Sequence, residues 1–183
     1  TTYRTSEDSI KAIKKEVGDN GSHLVALRVD LTDEISVEHL NVWLKDQSIK
    51  LDYLICNAVP SIGQSRFDEN QSFEFLKTFE AFYKIGLYSL KGSIEHFNEG
   101  CSILNISTDY INSPVTGFSH YISAKSAMEG LFKGLNIEYP DYYFKSIRLP
   151  KMRTDQTNLG LDTSELPIPS EFLNKIFKTL TLN

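Results

Sequence analysis

Glycine is scarce in this chain, with 10 residues in 183, and no glycine-rich loop occurs anywhere in it. Long apolar runs are missing as well. None approaches the roughly 18 to 20 residues needed to span a bilayer, so no membrane partner is expected, and no signal-peptide pattern is visible. A basic surplus is absent: 19 Lys and Arg face 24 Asp and Glu, for a net charge of -5. Nothing then supplies a basic face to release counterions, which argues against a nucleic-acid partner. The only cysteines are Cys56 and Cys101. Both lie in apolar, strand-like runs, so buried free thiols in a reducing, cytoplasmic setting are expected rather than a disulfide. His23, His39, His96 and His120 are scattered, and none pairs with another ligand at metal spacing, so no metal is expected. An initiating methionine is missing too: the chain opens abruptly with "TTYRTSED".

What is present is ordinary globular material, 40% hydrophobic and 23% charged, enough for the core of one domain over 1–183. Helical periodicity is expected in "SEDSIKAIKKEV", with Ile10, Ile13 and Val17 on one face, and in "DEISVEHLNVWLKDQ". It is also expected from about Gln71 to Phe97, in "SHYISAKSAMEGLFKGLNIEY" and in "SEFLNKIFKTL". Between these lie short apolar, β-branched runs: "HLVALRVDL", "LDYLICNA", "CSILNIS" and "YYFKSIRL". Strands alternating with helices imply βαβ units, hence an α/β fold with a doubly wound parallel sheet.

In such sheets ligands bind beyond the carboxyl ends of the strands. The residues there are polar. Arg4 follows a strand remnant, Asp30 ends the next strand, and Asn57 the third. Ser107 and Thr108 end the fourth, and "PKMRTDQTN" follows the fifth. Asp30 also suits a cap for the following helix, and Asn57 the backbone groups of a loop. In "YISAK", Tyr121 and Lys125 stand at i and i+4, so their side chains share a helix face. Thr108 lies 13 residues before Tyr121.

Taken together, "DLTD" at 30–33, "CNAV" at 56–59, "NIST" at 105–108, "YISAK" at 121–125 and "LPKMRTD" at 149–155 resemble the short-chain dehydrogenase/reductase superfamily. The family counterparts of the last four are NNAG, a strand-end serine, YxxxK and PGxxxTD. The resemblance implies a Rossmann-like fold and carbonyl reduction with Tyr121 as general acid. Lys125 would lower its pKa and hydrogen-bond the nicotinamide ribose. Thr108, or Ser107 as a fallback, would polarise the substrate carbonyl. It implies cofactor contacts from Asp30 and Leu31 beside the adenine, from Asn57 and Ala58 beside the adenosine ribose, and from Tyr121, Lys125 and Thr154 at the nicotinamide. Arg4, where the adenosine 2′-substituent would sit, favours NADPH/NADP over NAD.

The chain departs from the family pattern at four points. The glycine-rich loop and the first strand, central in this fold, are missing, so the residues read as an excerpt of a longer chain. The usual final strand is missing after the last helix. Val59 replaces the glycine of NNAG, and Lys151 that of PG. The long helix holds no asparagine to match the family's relay residue; Phe82 to Lys84 fall near that spot, and Lys84 is a candidate substitute.

The flavour of "RLPKMRTDQTN" is similar to ketoreductases working on carrier-tethered acyl chains, as in polyketide or fatty acid biosynthesis. A β-ketoacyl thioester is therefore the expected substrate, small or bound to an acyl carrier protein, within a multidomain enzyme or a homodimer or homotetramer packed through the long aromatic helix. A loop at about 155–170, with Leu159, Leu161, Leu166 and Ile168, would cover it. Two alternatives stay open: a family-derived scaffold without turnover, and a nucleotide-sugar reductase or epimerase, which "ISTDYI" also resembles.

Overall fold

The computed structural model describes residues 1–3, 7–18, 23–60, 62–67, 72–154 and 164–181. Arg4 and the Leu159 and Leu161 part of the covering loop lie outside them. The elements run β1 (Thr2–Tyr3), α1 (Glu7–Val17), β2 (Leu27–Arg28), α2 (Glu34–Asp46), β3 (Leu51–Cys56), α3 (Ser72–Lys91), β4 (Phe97–Thr108), α4 (Ser119–Glu138), β5 (Tyr143–Leu149) and α5 (Leu173–Thr181). All strand pairs are parallel.

Helices cover both faces of β4, and strand alternation shows it directly. Ile103 packs with Met128 and Phe132 of α4 and Leu90 of α3. Its neighbour Leu104 packs with Ile147, Leu149 and, from α5, Leu180. Both are fully buried, which is why this strand reads as a continuous apolar run rather than an alternating one. The doubly wound Rossmann-like arrangement expected from the sequence is therefore present.

It is also truncated, as expected. The strands form a β1–β2 piece and a β3–β4–β5 piece, and among the described residues no strand joins them. Tyr53 and Ile55 of β3 are about half exposed, at 54% and 45%, while Leu54 and Cys56 on the other face pack under α3 and α4. The small piece is held by side chains instead. Val29 and Leu31 join Val37, Leu40 and Leu44 of α2, and these meet Ile85 of α3. At the other edge, Asn136 of α4 covers β5: its amide donates to the Phe144 carbonyl (2.7 Å) and its carbonyl accepts from the Phe144 N–H (2.9 Å). A side chain thus occupies edge groups that a strand would otherwise pair.

Strand-like composition over-reads "HLVALRVDL", where the strand is Leu27–Arg28, flanked by bonds from the Thr1 amino group to the Val25 carbonyl (2.8 Å) and from the Val29 N–H to the Tyr3 carbonyl (2.8 Å). Asp33, not Asp30, caps α2 by accepting from the Ser36 N–H (3.0 Å). No helix among the described residues is long and apolar enough to cross a membrane. Cys56 and Cys101 are free and buried.

Candidate active site

The carboxyl ends of β3, β4 and β5 open into one cavity of about 700 Å³. Asn57 and Ala58 reach it from the end of β3, Thr108 from β4, Tyr121 and Lys125 from α4, and Thr154 from the segment after β5. Six residues from four segments widely separated in sequence therefore meet in one place. Asp30 and Leu31 do not line it. The Asp30 carboxylate holds its own turn, accepting from the Thr32 N–H (2.9 Å) and hydroxyl (2.6 Å), and the Leu31 side chain is part of the core under α2.

Thr108 and Ser107 diverge because consecutive strand residues point opposite ways. The Thr108 hydroxyl shares the cavity with Tyr121 and lowers its phenol pKa, while accepting from the Tyr110 N–H at 3.3 Å. Ser107 is buried and donates to Glu129 Oε1 at 2.6 Å. Ser107 also borders the cavity, but its hydroxyl is committed to Glu129 of α4, which leaves Thr108 as the better placed of the two hydroxyls.

Tyr121 is held as a ring on three sides. Phe82 of α3 meets it edge-on at 5.2 Å, Tyr110 at 6.3 Å, and the Lys125 ammonium lies 5.9 Å from its ring centre. Lys125 Nζ donates to the Ile106 carbonyl at 2.6 Å. Burial pushes the Tyr121 phenol above its ordinary value; Thr108 pulls it down and Tyr110 pushes it up further. Burial also lowers the Lys125 ammonium to about 8, against a smaller opposing effect of Cys56. Burial is thus the largest influence on both groups, raising the phenol and lowering the ammonium.

Lys84, the candidate substitute for the missing helix asparagine, is engaged by a carboxylate of its own helix. It is partly exposed and paired with Glu80 at 2.9 Å on the outer side of α3. The residue facing Tyr121 from α3 is Phe82, which is buried.

A loop across the mouth was not legible from composition. The Ser65 N–H donates to the Gly117 carbonyl (2.8 Å) and Gln64 Nε2 to the Thr116 carbonyl (3.0 Å). Gly117 has φ +82°, and a Cβ there would lie 2.4 Å from Gln64 Cγ. A left-handed backbone and a crowded neighbour both require glycine. Gly117→Ala should therefore lower stability by about 1 to 3 kcal/mol. Urea denaturation checks this, and an unchanged midpoint would mean that Gln64 simply swings aside and the clasp is slack.

Against this geometry stand the comparisons with known proteins. A family model described as short chain dehydrogenase matches residues 1–158. Among curated proteins, a fatty acyl-CoA reductase from Acinetobacter baylyi is 23% identical over 154 residues, which cover 81% of this chain and 52% of that protein. The chain thus spans about half the length of this curated relative. Among solved structures, a dehydrogenase/reductase from Sinorhizobium meliloti superposes with a TM-score of 0.82 at 20% identity, over 96% of this chain and 74% of that one. A blue fluorescent protein from a metagenomic library, in complex with NADPH, gives 0.75 at 18% identity, over 89% and 68%. A short chain dehydrogenase from Burkholderia cenocepacia, in complex with NADP, gives 0.73 at 19%, over 85% and 64%. At these identities the superpositions speak to the fold.

Proposed function

The chain belongs to the short-chain dehydrogenase family, and from that premise we propose that it is an NADPH-dependent ketoreductase acting on an acyl thioester. The observation that carries the reading is the meeting of Tyr121, Thr108 and Lys125 in the cavity at the carboxyl end of β4. A neutral phenol beside a hydroxyl and a buried ammonium is what carbonyl reduction requires.

The cavity suits the nicotinamide half of the cofactor: it is large, lies at the sheet's carboxyl rim, and brings Lys125, Thr154 and Asn57 to one space. Lys125 and Thr154 would hold that half, Asn57 and Ala58 the adenosine ribose, and Arg4 the 2′-phosphate. When bound, NADPH supplies the hydride. The chain's own residues do the rest. Thr108 donates a hydrogen bond to the carbonyl oxygen as negative charge builds there. Tyr121 Oη gives that oxygen its proton, and the product is the alcohol. Burial keeps Tyr121 protonated but makes it a weaker acid, so the groups that lower the phenol pKa, Thr108 among them, are what favour the transfer.

The acyl part of the proposal draws on the apolar walls of the cavity, including Val59, Ile62, Phe118 and Met152, and on the name of the curated relative. The test is loss of NADPH fluorescence with a short β-ketoacyl thioester, run beside a long-chain fatty acyl-CoA. Turnover of the first is expected. Turnover of the acyl-CoA alone would move the reaction from the ketone to the thioester carbonyl. Absence of both NADPH binding and turnover would favour a non-catalytic scaffold, a reading to which Phe82 at the relay position and Val59 in the cavity wall lend weight.

A further inference from the structure

Three turns of α4 touch three successive residues of β4. Tyr121, Lys125 and Glu129 recur every four residues, so they form one stripe down the helix. Tyr121 meets the Thr108 hydroxyl, Lys125 the Ile106 carbonyl, and Glu129 the Ser107 hydroxyl. Glu129 is the anchor of the three. It is buried at 9% exposure, and Arg148 of β5 grips it with two parallel bonds, Nε to Oε1 at 2.9 Å and Nη2 to Oε2 at 2.7 Å. The same guanidinium donates to the Asn112 side chain. Asn112 closes the turn that carries Tyr110, whose ring lies against Tyr121. One carboxylate and one guanidinium thus connect α4, the ends of β4 and β5, and the turn beside the candidate acid.

We infer that Glu129 and Arg148 are positioning residues, which with Ser107 fix the end of β4 against α4 and so hold Thr108 at the Tyr121 hydroxyl. The inference rests on the reductase reading for its consequence in turnover, but its geometric content is independent of it. A fork-to-fork pair is directional as well as attractive, so it fixes angle and distance where a point charge would fix only distance. Its partial burial sets it apart from the exposed pairs of α1 (Lys11 with Glu7 and Asp8), which contribute little. The charged groups facing Glu129 are Arg148 from β5 and Lys133 from its own helix. Beside the Tyr121 ring are Lys125 from α4, 5.9 Å from its centre, and, as a second phenol that acts on its titration, Tyr110.

The experiment uses Glu129→Gln, Arg148→Lys and the milder Ser107→Ala, which removes one bond and leaves the ion pair. The Tyr121 titration is followed by NMR of ring-labelled tyrosine, assigned with Tyr121→Phe, and needs no turnover. In all three variants it should move upward, since the Thr108 contact that lowers it is loosened, with Ser107→Ala moving least. In turnover, kcat should fall roughly ten- to a hundredfold for Glu129→Gln, while the dissociation constant for NADPH stays within about twofold. Arg148→Lys, which keeps the charge but loses the fork, should fall between parent and Glu129→Gln. Variants that melt earlier yet keep the parent's Tyr121 titration and kcat would overturn the inference and leave Glu129 a stability element only. If Glu129→Gln does not fold, an unshifted titration in Ser107→Ala and Arg148→Lys overturns it equally. A parent without turnover would defeat the reductase reading alone, because the titration still decides the positioning role.

Discussion

Tyr121→Phe leaves a folded protein whose NADPH-dependent turnover is lower by roughly three orders of magnitude. Only one oxygen is removed. The ring keeps its edge-on contacts with Phe82 and Tyr110, so packing is preserved, and stability should change by no more than about 1.5 kcal/mol for one lost hydrogen bond. The chemistry has no substitute at hand. Thr108 is a far weaker acid than a phenol, and Lys125 is turned to the Ile106 carbonyl. Water could still protonate a forming alkoxide, which sets the residual rate. The measurement is kcat by loss of NADPH fluorescence, with NADPH affinity measured alongside. A variant that keeps turnover within a few-fold of the parent would mean that another group is the acid. A variant that loses NADPH binding as well would mean that Tyr121 serves the cofactor site rather than the proton.

Lys125→Met should do the opposite to stability. The ammonium is buried, and burial lowers its pKa from 10.5 to about 8. The unfolded chain therefore binds more protons than the folded one between those two values. Stability of the parent must rise with pH across that window, and below about pH 8 the folded state carries the full burden. A shift of this size corresponds to roughly 3 kcal/mol. Methionine fills the same space without charge, but it gives up the bond to the Ile106 carbonyl, which is worth about 1.5 to 3 kcal/mol for a charged donor. The balance at neutral pH is a protein as stable as the parent or more stable by about 1 to 2 kcal/mol, with turnover lost. Urea denaturation at several pH values checks it. The advantage should shrink from about pH 8 upward, as the parent's lysine sheds its proton in the folded state while the unfolded chain still holds it. A parent whose stability is flat through this window, or a variant clearly destabilised at neutral pH, would show that Lys125 is better solvated than its burial implies. The expected pattern is that of a residue retained for function at the expense of stability.

Much of this molecule follows from local pattern. The period-4 spacing of Tyr121 and Lys125 on a helix, the apolar run ending in Ser107 and Thr108, and the alternation of strands with helices each follow from backbone geometry that a few residues dictate. The truncation was legible for the same reason, since a missing glycine-rich turn is a local absence. Glu129 was legible in principle as well, because it continues the Tyr121–Lys125 stripe by one more interval. Taken alone, though, a glutamate on a helix usually marks a solvated face.

What the chain could not announce depends on which groups meet across space. Whether Ser107 or Thr108 faces Tyr121 turns on strand alternation relative to α4, and the packing of Ile103 and Leu104 on opposite faces sets that phase. That Arg148 would reach back 19 residues to Glu129, and that Gln64 would close on Gly117, are results of parallel strands bringing distant loops to one rim. The sign of the pKa shifts at Tyr121 and Lys125 belongs to the same class. Sequence alone determined that a phenol, an ammonium and a hydroxyl were available at the right intervals. Only the tertiary structure decided that they are buried together, because desolvation is a property of the surrounding packing and not of any residue's neighbours in the chain.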